Sequence, residues 1–140
     1  MILFCDTSAL LKFYITEPES VTLKALVREA EAVVVCRIAW AEAFAALSRR
    51  AREAPEDAAT IEQAKAALAV DWPHFVVLEI DQTLVEKAGE YADTFALRGY
   101  DSIQLAAAAE AARISQTSIF FACFDTRLNK AAKLLGMTCW

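Results

Sequence analysis

Short apolar segments alternate with longer segments of helical periodicity along the whole chain of 140 residues. Five apolar segments without any charged residue are predicted to be β-strands: Ile2–Cys5, Val33–Cys36, Phe75–Leu78, Ile119–Phe124 and a short Met137–Trp140. Runs of this kind are typical of strands that are buried on both faces. Because such strands are separated by helices, the pattern predicts a parallel sheet with helices on each side.

The segments between the strands are predicted to be helices, because their apolar residues recur at helical spacing. The predicted helices are Ser8 to Tyr14, Pro18 to about Ala30, a hairpin of two helices that begin near Trp40 and at Pro55, a helix from Asp81 to the break at Gly99, Asp101 to about Arg113, and Asp125 to Leu135. No Gly/Ser/Pro-rich stretch divides the chain. We therefore expect one domain over residues 1–140, with a three-layer α/β/α architecture and a central parallel sheet of about five strands.

Hydrophobic residues make up 57% of the chain, so a membrane span has to be considered. The longest apolar stretch, residues 32–47, contains Arg37 and Glu42 and is shorter than the ~18–20 uncharged residues that a span needs. The N-terminus has neither the basic region nor the cleavage site of a signal peptide. The expectation is a soluble, cytoplasmic protein that makes no contact with a membrane.

Cysteine and histidine residues are poorly placed for chemistry. No two of the four cysteines form a CxxC pair, and each lies in or beside an apolar segment. The single histidine, His74, follows Trp72 and Pro73 in a predicted connector. Zinc sites and serine or cysteine triads are therefore disfavoured. If the chain is an enzyme, its chemistry is expected to depend on carboxylates.

The net charge of −5 is shared between the two halves of the chain. This balance disfavours a protein that binds nucleic acid mainly through a broad basic face. It does not exclude a nuclease whose acidic residues are neutralised by bound metal.

Four carboxylates lie where a parallel sheet binds its ligands, outside the carboxyl ends of the strands. Asp6 directly follows the first strand and Asp125 the fourth, Glu42 lies in the first turn of the helix after the second strand, and Asp101 follows the break at Gly99. The sequence therefore predicts that these four side chains lie along one edge of the sheet.

Each of these acids also has a simpler interpretation. Asp is a preferred N-cap, and Asp6, Asp101 and Asp125 all stand where a predicted helix begins. Glu42 complements the dipole of its helix, although its neighbours are almost all apolar. Taken together, however, clustered carboxylates repel one another unless cations are bound. Oxygen ligands of this kind suit Mg²⁺ or Mn²⁺, and a pair of such ions supports phosphodiester hydrolysis.

Four segments, in this order along the chain, resemble those of PIN-domain proteins, and in particular the VapC-type toxin ribonucleases. The segments are residues 3–12 (LFCDTSALLK), 37–42 (RIAWAE), 97–106 (LRGYDSIQLA) and 124–128 (FDTRL). The resemblance implies a five-stranded parallel sheet with an acidic pocket that binds Mg²⁺ or Mn²⁺. It also implies endoribonuclease activity on structured RNA, a small cognate antitoxin, and assembly as a homodimer or a toxin–antitoxin hetero-oligomer.

The resemblance also assigns expected roles to individual residues. The catalytic, metal-binding positions of the family fall on Asp6, Glu42, Asp101 and Asp125. Thr7 or Ser8 falls on the hydroxyl that positions a carboxylate or water, and Asn129 is placed to assist or replace Asp125. One departure is Gln104, which stands where many relatives have histidine. The alternative function is a PIN-like docking module without catalytic activity.

Three arginines are candidate RNA-binding residues. Arg98 and Arg127 lie near Asp101 and Asp125 in the sequence and are expected to contact RNA phosphates. Arg49 belongs to a basic group at the end of the helix that contains Glu42. The alternative for Arg49 is a favourable charge at a solvated helix C-terminus.

Overall fold

Parallel pairing of the apolar segments organises the fold, which we describe from a computed structural model covering residues 1–140. The strands of the sheet are β1 (Ile2–Cys5), β2 (Ala32–Cys36), β3 (Val76–Leu78) and β4 (Ile119–Ala122). The helices are α1 (Thr7–Leu11), α2 (Ser20–Glu29), α3 (Ala39–Glu53), α4 (Ala58–Asp71), α5 (Gln82–Phe95), α6 (Gly99–Ser115) and α7 (Thr126–Leu134). Two single 3₁₀ turns, Pro55–Asp57 and Trp72–His74, flank α4.

The sheet has the strand order β3-β2-β1-β4, and every pairing is parallel. Strand β1 is therefore central, with Ile2 opposite Ala32 on one side and Ile119 on the other. The predicted α/β architecture with a parallel sheet is confirmed. The sheet contains four strands, one fewer than the sequence suggested.

Strand β4 ends at Ala122, two residues earlier than predicted. Cys5 pairs with Ala122, and the backbone N–H of Asp6 donates to the Ala122 carbonyl at 3.1 Å. Beyond that point the neighbouring chain turns into α1, so Cys123 and Phe124 have no strand to pair with. The apolar character of these two residues reflects burial near the end of the sheet and not strand pairing.

The prediction that Met137–Trp140 forms a final strand is wrong. This segment contributes one isolated parallel bridge, between Phe120 and Thr138, with a hydrogen bond of 2.8 Å from the Phe121 N–H to the Thr138 carbonyl. The ring of Trp140 instead stacks on Phe124 at a centroid separation of 4.7 Å. The segment therefore covers the edge of β4 mainly with side chains.

Helix ends also differ from the predicted ones. Helix α1 ends at Leu11 and not at Tyr14, because the next three N–H groups bond three residues back, from Lys12 to Ala9 and onward. Such bonds tighten a last turn and end a helix. Helix α6 begins at Gly99, two residues before the predicted start at Asp101.

Two apolar cores lie on opposite faces of the sheet, as the alternation of side chains along β1 requires. Leu3 and Cys5 face a core shared with α1–α4, whereas Phe4 faces a core shared with α5–α7. In the second core the ring of Phe4 stacks on that of Phe121 at 5.7 Å, and both residues are fully buried. The helices thus form the two outer layers of the predicted three.

The chain changes direction across the sheet between β1 and β4. From β1 the chain proceeds outward to β2 and β3, and α5 and α6 then return it to the opposite side of β1. The connections that follow β1 and β4 leave on different faces of the sheet, which opens a crevice at the carboxyl ends of these two strands. Ligands of open α/β sheets bind at such a switch point.

We expect Phe121→Ala to lower the free energy of unfolding by about 3–5 kcal/mol, because a fully buried ring is lost and a cavity remains. Urea unfolding curves measure the change. The control is Leu134→Ala, at a side chain that is 76% exposed, and its effect should stay within about 0.5 kcal/mol. Equal effects of the two substitutions would contradict the assignment of Phe121 to the core.

Candidate functional site

The candidate site begins with Asp6, the residue that leaves β1 and caps α1. Its Oδ1 accepts hydrogen bonds from the Ala9 N–H at 2.9 Å and from the Ser8 hydroxyl at 2.7 Å. The side chain is buried, and this burial raises the pKa of Asp6. Hydrogen bonds from Cys123, Ala9 and Ser8 oppose that rise, and the charge of Asp101 adds to it. The capping interpretation is therefore correct for Asp6, but a cap alone does not require burial beside a second carboxylate.

Glu42 is held by two neutral donors from other helices. Its Oε1 accepts from the Thr7 hydroxyl at 2.8 Å and from the Gln104 Nε2 at 2.9 Å. The Gln104 Nε2 is also 3.1 Å from the Thr7 oxygen, so α1, α3 and α6 meet at one hydrogen-bonded group. Both donors contact the same oxygen of Glu42, which leaves Oε2 without a protein donor.

Gln104 is the residue of this group to which sequence reasoning assigned no role. It is 2% exposed, and its Oε1 is buried without a hydrogen-bond partner. The signal that was available is its spacing: Gln104 follows Asp101 by three residues, so a helix places both side chains on one face. An amide at this position holds Glu42 by hydrogen bonds and adds no charge.

Asp101 lies at the centre of the site and is not a helix cap. The capping position of α6 is Arg98, and the Asp101 carboxylate accepts no hydrogen bond from the protein. Burial raises the pKa of Asp101, the charge of Asp125 raises it further, and Arg98 opposes the rise. The N-cap alternative for Asp101 is therefore wrong, because the helix begins at Gly99.

Asp125 caps α7 and lies at the exposed side of the site. Its Oδ1 accepts from the Leu128 N–H at 2.8 Å, and its own N–H donates to the Cys123 sulfur at 3.2 Å. Asn129 donates from Nδ2 to the Cys123 carbonyl at 2.8 Å, and its Oδ1 is buried without a partner. Asn129 thus ties α7 to the end of β4 and holds the turn that carries Asp125.

Two open cavities share Asp101 and Arg98 in their walls. One, of about 460 Å³, is also lined by Glu42 and Tyr100. The other, of about 540 Å³, is also lined by Asp125, together with Leu97, Phe124, Thr126 and Arg127. Asp6 lines neither cavity but lies close enough to Asp101 for the charge of Asp101 to raise its pKa. The structure therefore brings the four predicted carboxylates to one edge of the sheet.

None of the four carboxylates forms an ion pair, although the structure contains nine. No three acidic, histidine or cysteine side chains converge closely enough to form a complete metal cage. The set is thus a loose group of oxygen donors without cationic neutralisation. This fits Mg²⁺, which usually takes one or two carboxylates and completes its shell with water and substrate phosphate.

The three predicted arginines are not equivalent. Arg98 lines both cavities, and Arg127 lines the second while donating to the Ala96 carbonyl at 3.2 Å. Arg49 lines neither of these cavities and lies 3.7 Å from Glu53 on the exposed side of α3. The structure therefore places two arginines beside the carboxylates and the third elsewhere.

Comparison with known proteins identifies the family. The sequence matches the PIN domain over residues 3–134, and the chain belongs to the PIN-domain family. It is 32% identical to Ribonuclease VapC45 of Mycobacterium tuberculosis (strain CDC 1551 / Oshkosh) over 139 residues. This alignment covers 96% of the present chain and 92% of the relative. The resemblance inferred from the four segments is confirmed.

Solved structures share the fold. Mycobacterium tuberculosis VapC20, a sarcin-ricin loop cleaving toxin, superposes with a TM-score of 0.67 at 21% identity and covers 92% of this chain and 94% of its own. VapBC2 from Rickettsia felis, bound to a DNA fragment from its promoter, gives a TM-score of 0.69 at 12% identity over 100% and 99% of the two chains. No helix of the present structure is long and apolar enough to cross a membrane.

We expect Asp101→Asn to be more stable than the wild-type protein in EDTA at neutral pH, by roughly 0.5–2 kcal/mol, because one charge leaves the acidic group. A carboxyl group whose pKa is raised on folding stabilises the folded state below its ordinary pKa, and this contribution is lost as the pH rises through the raised value. The advantage of the variant should therefore be absent below the ordinary pKa of 3.8 and grow as the pH rises above it. Melting temperatures across this pH range measure the difference.

The matched control is Asp81→Asn. Asp81 caps α5 by accepting from the Leu84 N–H at 2.9 Å and lines neither of the two cavities. Because Asn caps a helix about as well as Asp, this change should leave the melting temperature near that of the wild type. An Asp101→Asn variant no more stable than the wild type at neutral pH would contradict charge crowding at Asp101.

Proposed function

We propose that this PIN-domain protein is a metal-dependent endoribonuclease, the toxin of a toxin–antitoxin pair, which cuts structured RNA in the cytoplasm. The observation that carries the proposal is the group of four carboxylates without ion pairs at the crevice between β1 and β4. Neighbouring carboxylates whose charges act on one another cost stability in the absence of cations, so their presence favours a functional origin. The curated relative, named a ribonuclease, supports the same activity.

Asp6, Glu42, Asp101 and Asp125 would hold Mg²⁺ or Mn²⁺ in this proposal. When bound, such an ion neutralises phosphate charge and activates water for attack on phosphorus. Thr7 and Gln104 fix the Glu42 carboxylate through one oxygen and leave Oε2 free for a ligand. Ser8 and the Ala9 N–H fix Asp6 in a similar way, through its Oδ1.

Other interactions of the site would bind the RNA or hold the metal-binding side chains in place. Asp101 accepts no hydrogen bond from the protein, so its oxygens are available to a ligand or to the attacking water. Arg98 and Arg127 lie beside it and are placed to bind the phosphates that flank the cut. Asn129 holds the turn that presents Asp125. These interactions position the phosphodiester and its nucleophile in a site whose groups are preorganised.

We expect Asp6→Asn and Asp101→Asn each to abolish RNA cleavage while the protein stays folded. The cleavage rate should fall by more than the roughly 10–100-fold that follows mutation of a residue that only hydrogen-bonds to a metal ligand. Cleavage rates of purified protein with Mg²⁺, with Mn²⁺ and in EDTA measure it, and Asp81→Asn again serves as the control with wild-type rates. Asp125→Asn should retain a residual rate, because its carboxylate is the most exposed of the four.

Wild-type turnover in EDTA would overturn the metal-dependent mechanism. A protein that binds a partner but leaves RNA intact under all metal conditions would instead be a non-catalytic docking module. The assay therefore separates the two functions that the sequence left open.

A small antitoxin is the proposed partner. Among the structural relatives is a toxin–antitoxin complex from Klebsiella pneumoniae, with a TM-score of 0.58. In the present chain the unneutralised carboxylates would attract an arginine or lysine of the partner, which would replace the charge of the metal and form charge-assisted hydrogen bonds. Half-buried rings of Trp40, Phe44 and Trp72, which pack on one another, are available to an amphipathic segment.

We expect co-expression with the neighbouring small open reading frame to relieve growth arrest caused by this protein. Neutralising Asp6 and Asp101 together should weaken binding of that partner by about tenfold or more, since the inserted cation loses both acceptors. Calorimetric titration of the wild type and the double variant gives the two affinities. Unchanged affinity would place the contact of the partner outside the acidic group.

A further inference from the structure

Tyr100 differs from every other aromatic residue of the chain. The sequence contains eight Phe, three Tyr and three Trp residues, and all except Tyr100 pair with another aromatic ring. The centroid separations of these pairs lie between 4.7 and 6.3 Å. Tyr100 is 61% exposed, its hydroxyl has no hydrogen bond, and no cation lies over its ring. Its ring therefore contributes little to the stability of the fold.

Tyr100 also lies next to the carboxylates of the site. It lies in the first turn of α6, directly before Asp101, and it lines the 460 Å³ cavity together with Glu42, Arg98 and Asp101. A planar apolar ring is thus held at the rim of a cavity whose other side chains are mostly charged. Both faces of the ring are free of aromatic and cationic partners from this chain.

A nucleotide has the chemistry that matches this cavity. Its phosphate carries the negative charge that Arg98 attracts, and its base carries a flat π-face that stacks on an aromatic side chain. Stacking of this kind tolerates any base, because every base has such a face. Within a double helix both faces of a base are already covered by its stacked neighbours, so the cavity would take a nucleotide from a loop or another single-stranded part of the RNA.

We propose that Tyr100 stacks on an unpaired base of the RNA next to the bond that is cut, while Arg98 binds an adjacent phosphate. This inference rests on the proposed ribonuclease function and adds to it the kind of substrate: RNA with an unstacked nucleotide beside the cleavage site. Tyr100 is a substrate-binding residue in this scheme and takes no part in the transfer of protons.

The test uses an RNA hairpin with a randomised loop, whose cut positions are mapped by sequencing the products. The variants are Tyr100→Ala, Tyr100→Phe and, as the control, Ile114→Ala, which removes a side chain of similar exposure (62%) at the far end of the same helix. Tyr100→Ala should lower kcat/KM roughly ten- to hundredfold through KM, which corresponds to the loss of one base–aromatic stack. Tyr100→Phe should restore most of the activity, and the melting temperatures of all three variants should stay at the wild-type value.

A second measurement identifies the base. Copies of one cleaved hairpin carry an abasic nucleotide at each position beside the cut, and at one of these positions the wild type and Tyr100→Ala should have equal kcat/KM. Wild-type kinetics for Tyr100→Ala on every RNA would overturn the inference and leave the ribonuclease function intact. Loss of antitoxin binding without loss of RNA cleavage would also overturn it, and absence of cleavage by the wild type would overturn the proposed function itself.

Discussion

The pairing of β1 with β4 is the interaction on which the rest of the structure depends. It aligns Cys5 with Ala122 at the end of the sheet and thereby places Asp6 and the turn to Asp125 side by side. It also brings together two segments that are more than a hundred residues apart in the sequence. Because the chain leaves these two strands toward opposite faces, the crevice needed for a ligand arises directly from the strand order.

At that crevice the carboxylates are not neutralised by cationic side chains, and their mutual repulsion lowers the stability of the folded protein. The structure contains nine ion pairs, yet none involves the four carboxylates of the site. Where a carboxylate needs a partner, the protein supplies a neutral donor: a hydroxyl from Ser8 or Thr7, or the amide of Gln104. Neutral donors orient an oxygen without cancelling its charge, which keeps the site attractive to cations.

Local rules predicted parts of this site better than others. Asp6 and Asp125 follow strands and cap helices, so strand pattern and capping preference placed them correctly. Asp101 was predicted to begin its helix, but α6 begins at Gly99 and Asp101 lies within the first turn. Gln104 was given no role, since its helical spacing from Asp101 indicates a shared face but does not identify Glu42, a distant residue, as its acceptor.

The sequence by itself determined the α/β architecture, because uncharged apolar runs separated by amphipathic segments can bury their surface only as a sheet covered by helices. It also determined which acids follow the strands. The tertiary structure alone decided the strand order, the loss of the fifth strand to packing of the Trp140 ring, and the partners of Glu42. These features depend on contacts between residues far apart in the chain, and periodicity within one segment carries no information about which distant segment will lie beside it.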